Sequence, residues 1–324
     1  MNKVKLFSHT DLDGYGCNVV AKLALCFLEV DCENLNYDKI NERVKEFFTT
    51  KEYDEYSVVY ITDISVNDEV AEIIENKINE TGIRVRLLDH HPTATGLNKY
   101  KWATVDIERY GEKISGTRML YDELSDVVKR VSSEKGMFNK DRLFDFVENV
   151  RKYDTWLWKE KYDDIKPKQL NDLFFLLGTE RFVDKIIITL KFSLVTVKDF
   201  INENKLLLEL QQEKIDKYVE KKNKEIINKN IIGYNAGVVF AEQFQSELGN
   251  RLSEMNPQYD LIIMIGDKTV SYRTVKDNID CGQVAKLFGG GGHPKASGSQ
   301  ISNEKKLMYI DELFKWNNGA MTDL

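Results

Sequence analysis

The segment YSVVYITDISVNDEVAEIIENKINETGIRVRLLDHH (56–91) decides the fold of this chain. Residues 56–65 form a β-branched run typical of a strand. Residues 68–82 have the spacing of an amphipathic helix that is closed by Gly82, a common residue at helix C-termini. Residues 83–91 are again strand-like. A strand, a helix and a strand in this order predict two parallel strands joined by a crossover helix.

The residues before this segment extend the pattern. VKLFSH (4–9) predicts a short strand, and CNVVAKLALCFLEV (17–30) has helical periodicity. The resulting β-α-β-α-β order predicts a parallel sheet with crossover helices. All three predicted strands end in Asp or His residues, and such sheets bind ligands at the carboxyl ends of their strands. The sequence therefore predicts a functional site at that edge.

The second half of the chain is predicted to differ. Residues 141–158 carry a helical apolar face with Asp154 near its end, and residues 203–230 predict a long, partly exposed helix that connects two domains. Residues 259–275 predict a hairpin around Gly266. We therefore predict an α/β fold with a parallel-sheet domain and crossover helices (1–165), a helical region and linker (166–230), and a smaller α/β domain (231–324).

Composition limits the class of protein. The 324 residues are 42% hydrophobic and 31% charged, as in soluble globular proteins. We find no apolar run near the roughly 20 residues of a membrane span, no secretory leader, and four cysteines without a CxxC pair. These features predict a cytoplasmic protein with reduced thiols that binds no membrane. The net charge of −7 disfavours tracking of long nucleic acid, so a phosphate-bearing substrate should be small or short.

All four histidines lie in three short motifs: His9 in SHTDLDGYG, His90 and His91 in LLDHHPT, and His293 in FGGGGHPKASG. In the first motif His9, Asp11 and Asp13 alternate. If the segment is extended, these side chains lie on one side and could converge on cations. The alternative interpretation is a polar loop whose aspartate caps the next helix.

The other motifs add further metal-binding groups. Asp63 follows a predicted strand, where a helix N-cap is an equally simple interpretation. In Asp89-His90-His91, one imidazole can bind metal while the other faces substrate, and Asp89 can orient an imidazole. Taken together, an oxygen-rich set with two imidazoles suits Mn²⁺ or Mg²⁺ better than structural zinc. Converging carboxylates need cations between them, and two divalent cations are the usual solution for phosphoester hydrolysis.

The order HxDxDG, Asp63, DHH, Asp154 and GGGGH resembles the DHH/DHHA1 phosphoesterase superfamily. Within it the chain is most similar to the bacterial nano-RNase branch, the oligoribonucleases of the nano-RNase B type. The resemblance covers nearly the whole chain and implies a DHH catalytic domain, a helical linker and a DHHA1 substrate-binding domain. It also implies the metal ligands: His9 and Asp11 for the first cation, Asp13, His90 and Asp154 for the second, and Asp63 for both. His91 would face the scissile phosphate, with Asp89 beside it.

The C-terminal motif is a separate line of evidence. Residues 289–292 are glycines, whose backbone can approach a phosphate closely and present N–H groups. Ser271 and Arg273 alternate on the predicted hairpin and so share a face, and an arginine can bind phosphate through two hydrogen bonds. The resemblance implies that such a loop and strand arginine hold the substrate against the metals. The predicted substrate-binding residues are Ser271, Arg273, Gly290, Gly291, Gly292 and His293, and Arg273 is also predicted to stabilise the transition state.

The predicted function is metal-dependent hydrolysis of short oligoribonucleotides or linear dinucleotides to mononucleotides, in a cleft between the two domains. Alternatives are a 3′-phosphoadenosine 5′-phosphate phosphatase, a cyclic-nucleotide phosphodiesterase and, from another class, a non-catalytic nucleotide-binding sensor. A manganese pyrophosphatase would share the DHH half, but GGGGH belongs with the DHHA1 type. The sequence leaves open the cleavage direction, base preference, RNA against DNA, the native metal and the oligomeric state, with a homodimer as one option.

Overall fold

A computed structural model describes residues 2–192 and 196–315 of the chain. The chain forms two compact units, Met1–Leu208 and Glu209–Leu324. In the part of the chain that the structure describes, no helix is both long enough and apolar enough to cross a membrane.

The first unit contains a five-stranded sheet in which all neighbouring strands are parallel. The predicted α/β fold class is thus confirmed. The strand order is β2-β1-β3-β4-β5, so the chain runs from β1 to one edge and then returns to the other side of β1. This reversal between β1 and β3 is the place where open parallel sheets bind ligands. The strands are β1 (Lys3–Ser8), β2 (Glu29–Asn34), β3 (Val58–Thr62), β4 (Arg84–Asp89) and β5 (Ala103–Val105).

Helices cover both faces of this sheet, which explains why its central strands are apolar on both sides. Val4 and Leu6 pack in one core, whereas Phe7, between Leu6 and the end of β1, packs in the other. Both cores also contain helix residues. The first includes α1 (Leu12–Ala24), and the second includes α2 (Ile40–Thr49) and α3 (Asp68–Thr81). Gly82 closes α3 in the left-handed conformation, as predicted.

Two parts of the sequence interpretation of this unit are wrong. The helix predicted at 17–30 begins earlier, at Leu12, because Asp11 caps it through a hydrogen bond from the Gly14 amide. Its predicted end is strand β2, which pairs with β1 and was not predicted. The segment from His9 to Asp13 is accordingly a junction between a strand and a helix, and an extended run was the wrong expectation.

The remaining elements of the first unit are mostly helices on the α1 side of the sheet. The helix predicted over 141–158 ends earlier, at Asp154, and a separate short helix follows from Leu157. The elements are the 3₁₀ segments Glu52–Glu55 and Pro92–Lys99, the hairpin β6 (Glu108–Arg109) and β7 (Glu112–Lys113), and the helices α4 (Gly116–Glu123), α5 (Ser125–Lys135), α6 (Lys140–Asp154), α7 (Leu157–Glu160), α8 (Lys166–Leu177), α9 (Thr179–Phe192) and α10 (Val197–Glu203).

The second unit is a smaller α/β structure with a six-stranded mixed sheet in the order β12-β13-β11-β10-β9-β8. The predicted hairpin is confirmed as the antiparallel pair β10–β11. The helix predicted at 203–230 is shorter than expected, because the chain after Lys224 joins the sheet edge as β8. The elements are α11 (Lys205–Lys224), β8 (Ile227–Ile231), β9 (Tyr234–Phe240), α12 (Gln245–Met255), β10 (Leu261–Ile265), β11 (Thr269–Arg273), α13 (Cys281–Leu287), β12 (Gly291–Gly292), β13 (Ala296–Gln300) and α14 (Asn303–Leu313).

Candidate metal centre

Three neighbouring strands deliver candidate ligands to one edge of the parallel sheet. His9 follows β1, Asp63 follows β3, and His90 follows β4. Asp63 has a φ of 59°, in the left-handed region that few residues other than glycine occupy, although Asp tolerates it better than most. Its amide donates to the carbonyl of Leu88 (2.9 Å), which ties the end of β3 to β4. Backbone strain of this kind is typical of functional sites.

The structure brings all six predicted metal ligands into two groups. One contains His9, Asp11 and Asp63, and the other contains Asp13, His90 and Asp154; within each group the potential ligand atoms lie within 4.8 Å of one another. Asp63 also reaches the second group, because its Oδ1 lies 3.1 Å from His90 Nε2. From the same nitrogen, Asp154 Oδ2 is 3.4 Å away and Asp13 Oδ2 is 3.7 Å away.

Hydrogen bonding distinguishes the carboxylates of Asp63 and Asp154 from that of Asp89. The Oδ2 atoms of Asp63 and Asp154 are buried and have no hydrogen-bond partner within the described chain. Asp89 is saturated, since Oδ1 accepts from the amides of His90 and His91 and contacts the His91 ring, while Oδ2 accepts from the Ser65 hydroxyl. Unpaired buried carboxylate oxygens are costly. Oxygens left free beside imidazole nitrogens therefore fit divalent cations, whereas Asp89 fits an orienting role.

The electrostatics of the cluster support the same conclusion. Burial and the neighbouring carboxylates of Asp13 and Asp11 raise the pKa of both Asp63 and Asp154 well above the usual range. Burial also lowers the pKa of His90, so the neutral imidazole that binds metals is favoured. A cation among these groups would remove the repulsion and favour the ionised carboxylates.

His91 lies beside the two ligand groups, and its potential ligand atoms are within 4.8 Å of those of Asp63, Asp89 and His90. Its Nδ1, however, is taken up by Asp89 Oδ1 at 2.7 Å, and Asp89 is almost completely buried. Burial disfavours a charged His91 ring, but the hydrogen bond and charge of Asp89 outweigh this effect and raise the pKa of His91. Because a carboxylate only accepts hydrogen bonds, Nδ1 carries a proton and Nε2 faces away from Asp89.

The second unit presents the predicted substrate-binding residues on and beside β11. The Ser271 hydroxyl donates to Gln245 Oε1 of α12 (2.8 Å). Arg273 lies against the same helix, since a Cβ on Gly249 would be only 2.5 Å from its Cγ. The Arg273 guanidinium donates to the carbonyls of Tyr272 (2.9 Å) and Ser297 (3.4 Å), and burial lowers its pKa. Within residues 2–192 and 196–315 it has no carboxylate partner, which leaves its charge available to an anion.

The glycine run has a structural role as well as a candidate binding role. A Cβ on Gly290 would lie 2.0 Å from the Gly298 carbonyl oxygen, so β13 excludes any side chain there. Gly291 has open space around it. His293 is exposed in the turn between β12 and β13, where its amide donates to the Ala296 carbonyl (2.8 Å). Gly291 and His293 thus have open space beside them for a ligand.

Comparison with known proteins identifies the family. A scan against family models gave no match. The chain is, however, 39% identical over 315 residues to the oligoribonuclease NrnB of Bacillus subtilis (strain 168), an alignment that covers 96% of this chain and 76% of that protein. The chain belongs to the DHH nano-RNase family. This DHH nano-RNase is accordingly a phosphodiester hydrolase.

Other relatives of this DHH nano-RNase are more distant. It is 26% identical to a 3′,5′-cyclic-nucleotide phosphodiesterase of Helicobacter pylori (strain ATCC 700392 / 26695), over 93% of both chains. Among solved structures, RecJ from Thermus thermophilus in complex with Mn²⁺ matches with a TM-score of 0.58 at 12% identity. That match covers 96% of this chain and 51% of RecJ, and it shows that the two share a fold.

The structure adds residues around the site that the sequence interpretation did not identify. The amides of Gly116 and Thr117, at the start of α4, donate to the two carboxylate oxygens of Asp13 at 2.6 and 2.9 Å. A helix N-terminus is a favourable place for an anion. A Cβ on Gly116 would also lie 2.5 Å from Asp63 Cβ. The sequence held only a weak signal for this role, namely Ser115, a good N-cap residue, directly before a glycine.

We expect Gly116→Ala to weaken cation binding by this DHH nano-RNase. The added methyl group would displace Asp63, which belongs to one ligand group and contacts His90 of the other, although Ala favours helices by roughly 1 kcal/mol over Gly. Calorimetric titration with Mn²⁺ should show at least one binding event weakened by roughly tenfold or more, the effect typical of disturbing groups around a metal. Gly96→Ala is the matched control, because Gly96 has open space around its Cα. Equal affinities in the two variants would contradict this role of Gly116.

Proposed function

We propose that this DHH nano-RNase hydrolyses short oligoribonucleotides or linear dinucleotides to mononucleotides with two bound divalent cations. The observation that carries the proposal is the pair of ligand groups that the contact between Asp63 and His90 connects, with buried carboxylate oxygens left without hydrogen bonds. Manganese is the proposed metal and magnesium the alternative, since oxygen ligands with a few imidazoles suit both. The four cysteines are free thiols, which supports a cytoplasmic location as part of the proposal.

In this proposal each residue has a defined role. Bound divalent cations supply charge neutralisation and a lowered pKa of water. His9 and Asp11 would hold one cation, Asp13, His90 and Asp154 would hold the other, and Asp63 would be a ligand of both. His91, oriented by Asp89, faces the scissile phosphate and donates a hydrogen bond to it.

The second unit supplies the proposed contacts to the substrate. Arg273 binds the non-bridging oxygens of a phosphate and offsets the charge that develops on them. Ser271, held by Gln245, and the loop of Gly290, Gly291, Gly292 and His293 bind the terminal nucleotide. We keep the predicted division into a catalytic domain (1–165), a linker region (166–230) and a substrate-binding domain (231–324) as part of this proposal.

Short substrates are favoured by charge as well as by family. The net charge of −7 disfavours binding along a long strand of nucleic acid. The relative with 39% identity is named an oligoribonuclease, which points to short RNA. The more distant relative named a 3′,5′-cyclic-nucleotide phosphodiesterase makes cyclic nucleotides the second candidate substrate.

Parallel hydrolysis assays test the proposal. The purified protein with Mn²⁺ would receive a dinucleotide, a five-residue RNA labelled at either end, a 24-residue RNA, 3′-phosphoadenosine 5′-phosphate and cyclic AMP. We expect mononucleotides from the two short RNAs at a rate well above that for the 24-residue RNA. The position of the label in the first product gives the direction of cleavage.

Each other outcome would change the assignment. Faster hydrolysis of cyclic AMP than of either short RNA would move the assignment to the second candidate. Preference for 3′-phosphoadenosine 5′-phosphate would indicate a nucleotide phosphatase. Binding without hydrolysis of any substrate would contradict a catalytic function and favour a nucleotide sensor. Equal rates on the five-residue and 24-residue RNAs would contradict the proposed limit on length.

A further inference from the structure

Tyr37 lies beside the metal-binding cluster without belonging to any group of potential ligands. Its hydroxyl is 3.2 Å from His91 Nε2, and its ring centroid is 6.1 Å from that of His91 and 5.0 Å from that of His9. The residue is 53% exposed, so its outer face is open to solvent. An exposed tyrosine that reaches inward to a single imidazole nitrogen requires an explanation.

The loop that carries Tyr37 is fastened to the strand–helix junction of the site. The side-chain amide of Asn34 donates to the His9 carbonyl at 2.5 Å, and the Thr10 hydroxyl donates to Asn36 Oδ1 at 2.5 Å. These bonds join the residues just before Tyr37 to the residues just after β1. The position of Tyr37 over His9 and His91 is therefore fixed by its neighbours as well as by its own contacts.

Both nitrogens of the His91 ring have a partner. Asp89 accepts from Nδ1 at 2.7 Å, so in the neutral ring Nε2 is an acceptor. A tyrosine hydroxyl can donate a hydrogen bond to a neutral Nε2 or accept one from a protonated Nε2, so the 3.2 Å contact serves either form of the ring. An imidazole held at both nitrogens cannot rotate about its χ2 angle without breaking one of these bonds.

We propose that Tyr37 is a positioning residue that holds the His91 ring, together with Asp89, in the orientation from which His91 meets the scissile phosphate. This inference rests on the proposed function for the role of His91, but the contact itself does not. On substrate binding, a phosphate oxygen replaces the Tyr37 hydroxyl oxygen as the acceptor for a protonated Nε2. The contribution of Tyr37 is then pre-orientation, which affects the chemical step more than substrate affinity.

Tyr37→Phe removes the hydroxyl and keeps the aromatic ring, so it tests the hydrogen bond alone. We expect this variant to lower kcat roughly 3- to 10-fold, the effect of one ordinary hydrogen bond, with KM changed less than twofold. Tyr37→Ala also removes the ring that packs on His9, so its kcat should fall further. Tyr110→Phe is the matched control, because Tyr110 lies in the same unit and is 90% exposed. A higher KM with unchanged kcat in Tyr37→Phe would overturn the proposal and make Tyr37 a substrate contact.

A spectroscopic test works independently of turnover. The chain has only four histidines, so ¹⁵N-histidine labelling of the Mg²⁺-loaded protein gives few ring signals, which single substitutions can assign. We expect Tyr37→Phe to shift the His91 ring signals and to leave those of His293 in place. Unchanged His91 signals together with unchanged kcat would overturn the positioning role. If the parent protein hydrolyses no short RNA but Tyr37→Phe still shifts the His91 ring signals, the result would contradict the proposed function alone.

Discussion

Asp63→Asn is expected to lower kcat/KM for a short RNA by on the order of 10³-fold or more, since metal-ion catalysis contributes several kcal/mol to such reactions. Asp63 is the residue through which the two ligand groups meet. The amide keeps the size of the side chain but loses its charge and one oxygen ligand. Asp145→Asn is the matched control, because Asp145 is a carboxylate on α6 that belongs to neither ligand group, has a pKa raised by desolvation and lies nine residues before Asp154.

The same substitution should have the opposite effect on the metal-free fold. Asp63 is buried beside the carboxylates of Asp13 and Asp154, and its Oδ2 has no hydrogen bond. Replacing such a carboxylate by a neutral amide removes repulsion and desolvation costs. We therefore expect the Tm of Asp63→Asn in EDTA to equal or exceed that of the parent in EDTA.

These two expectations make the test specific. Addition of Mn²⁺ should raise the Tm of the parent and of Asp145→Asn, because a ligand that binds only the folded state stabilises it. The rise should be much smaller in Asp63→Asn. If Asp63→Asn loses activity but keeps the rise in Tm on addition of Mn²⁺, Asp63 acts in some way other than binding cations. A variant that stays fully active would contradict the two-cation centre.

The location of the site could be predicted from the sequence because parallel strands end at a common edge. His9, Asp63 and His90 each follow an apolar strand, so the fold alone brings them together. The first motif shows the limit of this reasoning. Alternation in an extended segment predicted that His9, Asp11 and Asp13 lie on one side, but a helix starts at Leu12. Asp13 therefore lies in a different group of potential ligands from His9 and Asp11.

Strand β2 was missed because its sequence, EVDCEN, looks polar. The structure explains the charged residues. Lys5 of β1 is almost fully buried, and its Nζ lies 3.1 Å from Asp31 and 2.8 Å from Glu33 on β2. Because Asp31 and Glu33 pair with Lys5 across the two strands, β2 has no hydrophobic pattern of its own. The support of Asp13 by the amides of Gly116 and Thr117 is similarly hidden, because a backbone N–H has no residue signature and lies more than 100 positions away.

Arg273→Met is expected to reduce kcat/KM for a short RNA by roughly 10- to 100-fold, the effect of losing charge-assisted hydrogen bonds to a phosphate. The substitution should change the stability of the fold little or increase it. The guanidinium is partly buried, burial lowers its pKa, and it bonds only to backbone carbonyls in the described part of the chain. Methionine can fill the space beside Gly249 without burying a charge, so we expect the Tm to stay level or to rise.

The comparison with other variants identifies the role of Arg273. Arg273→Lys should recover only part of kcat/KM, because lysine keeps the charge but cannot form two parallel hydrogen bonds. Arg251→Met is the matched control in the same unit, since Arg251 pairs with Asp216 on the surface. The Mn²⁺-induced rise in Tm should be unchanged in all three variants, because Arg273 is not among the metal ligands. A lost metal response in Arg273→Met would contradict this separation of metal binding from substrate binding, and a kcat/KM equal to that of the parent would show that the unpaired guanidinium does not bind substrate.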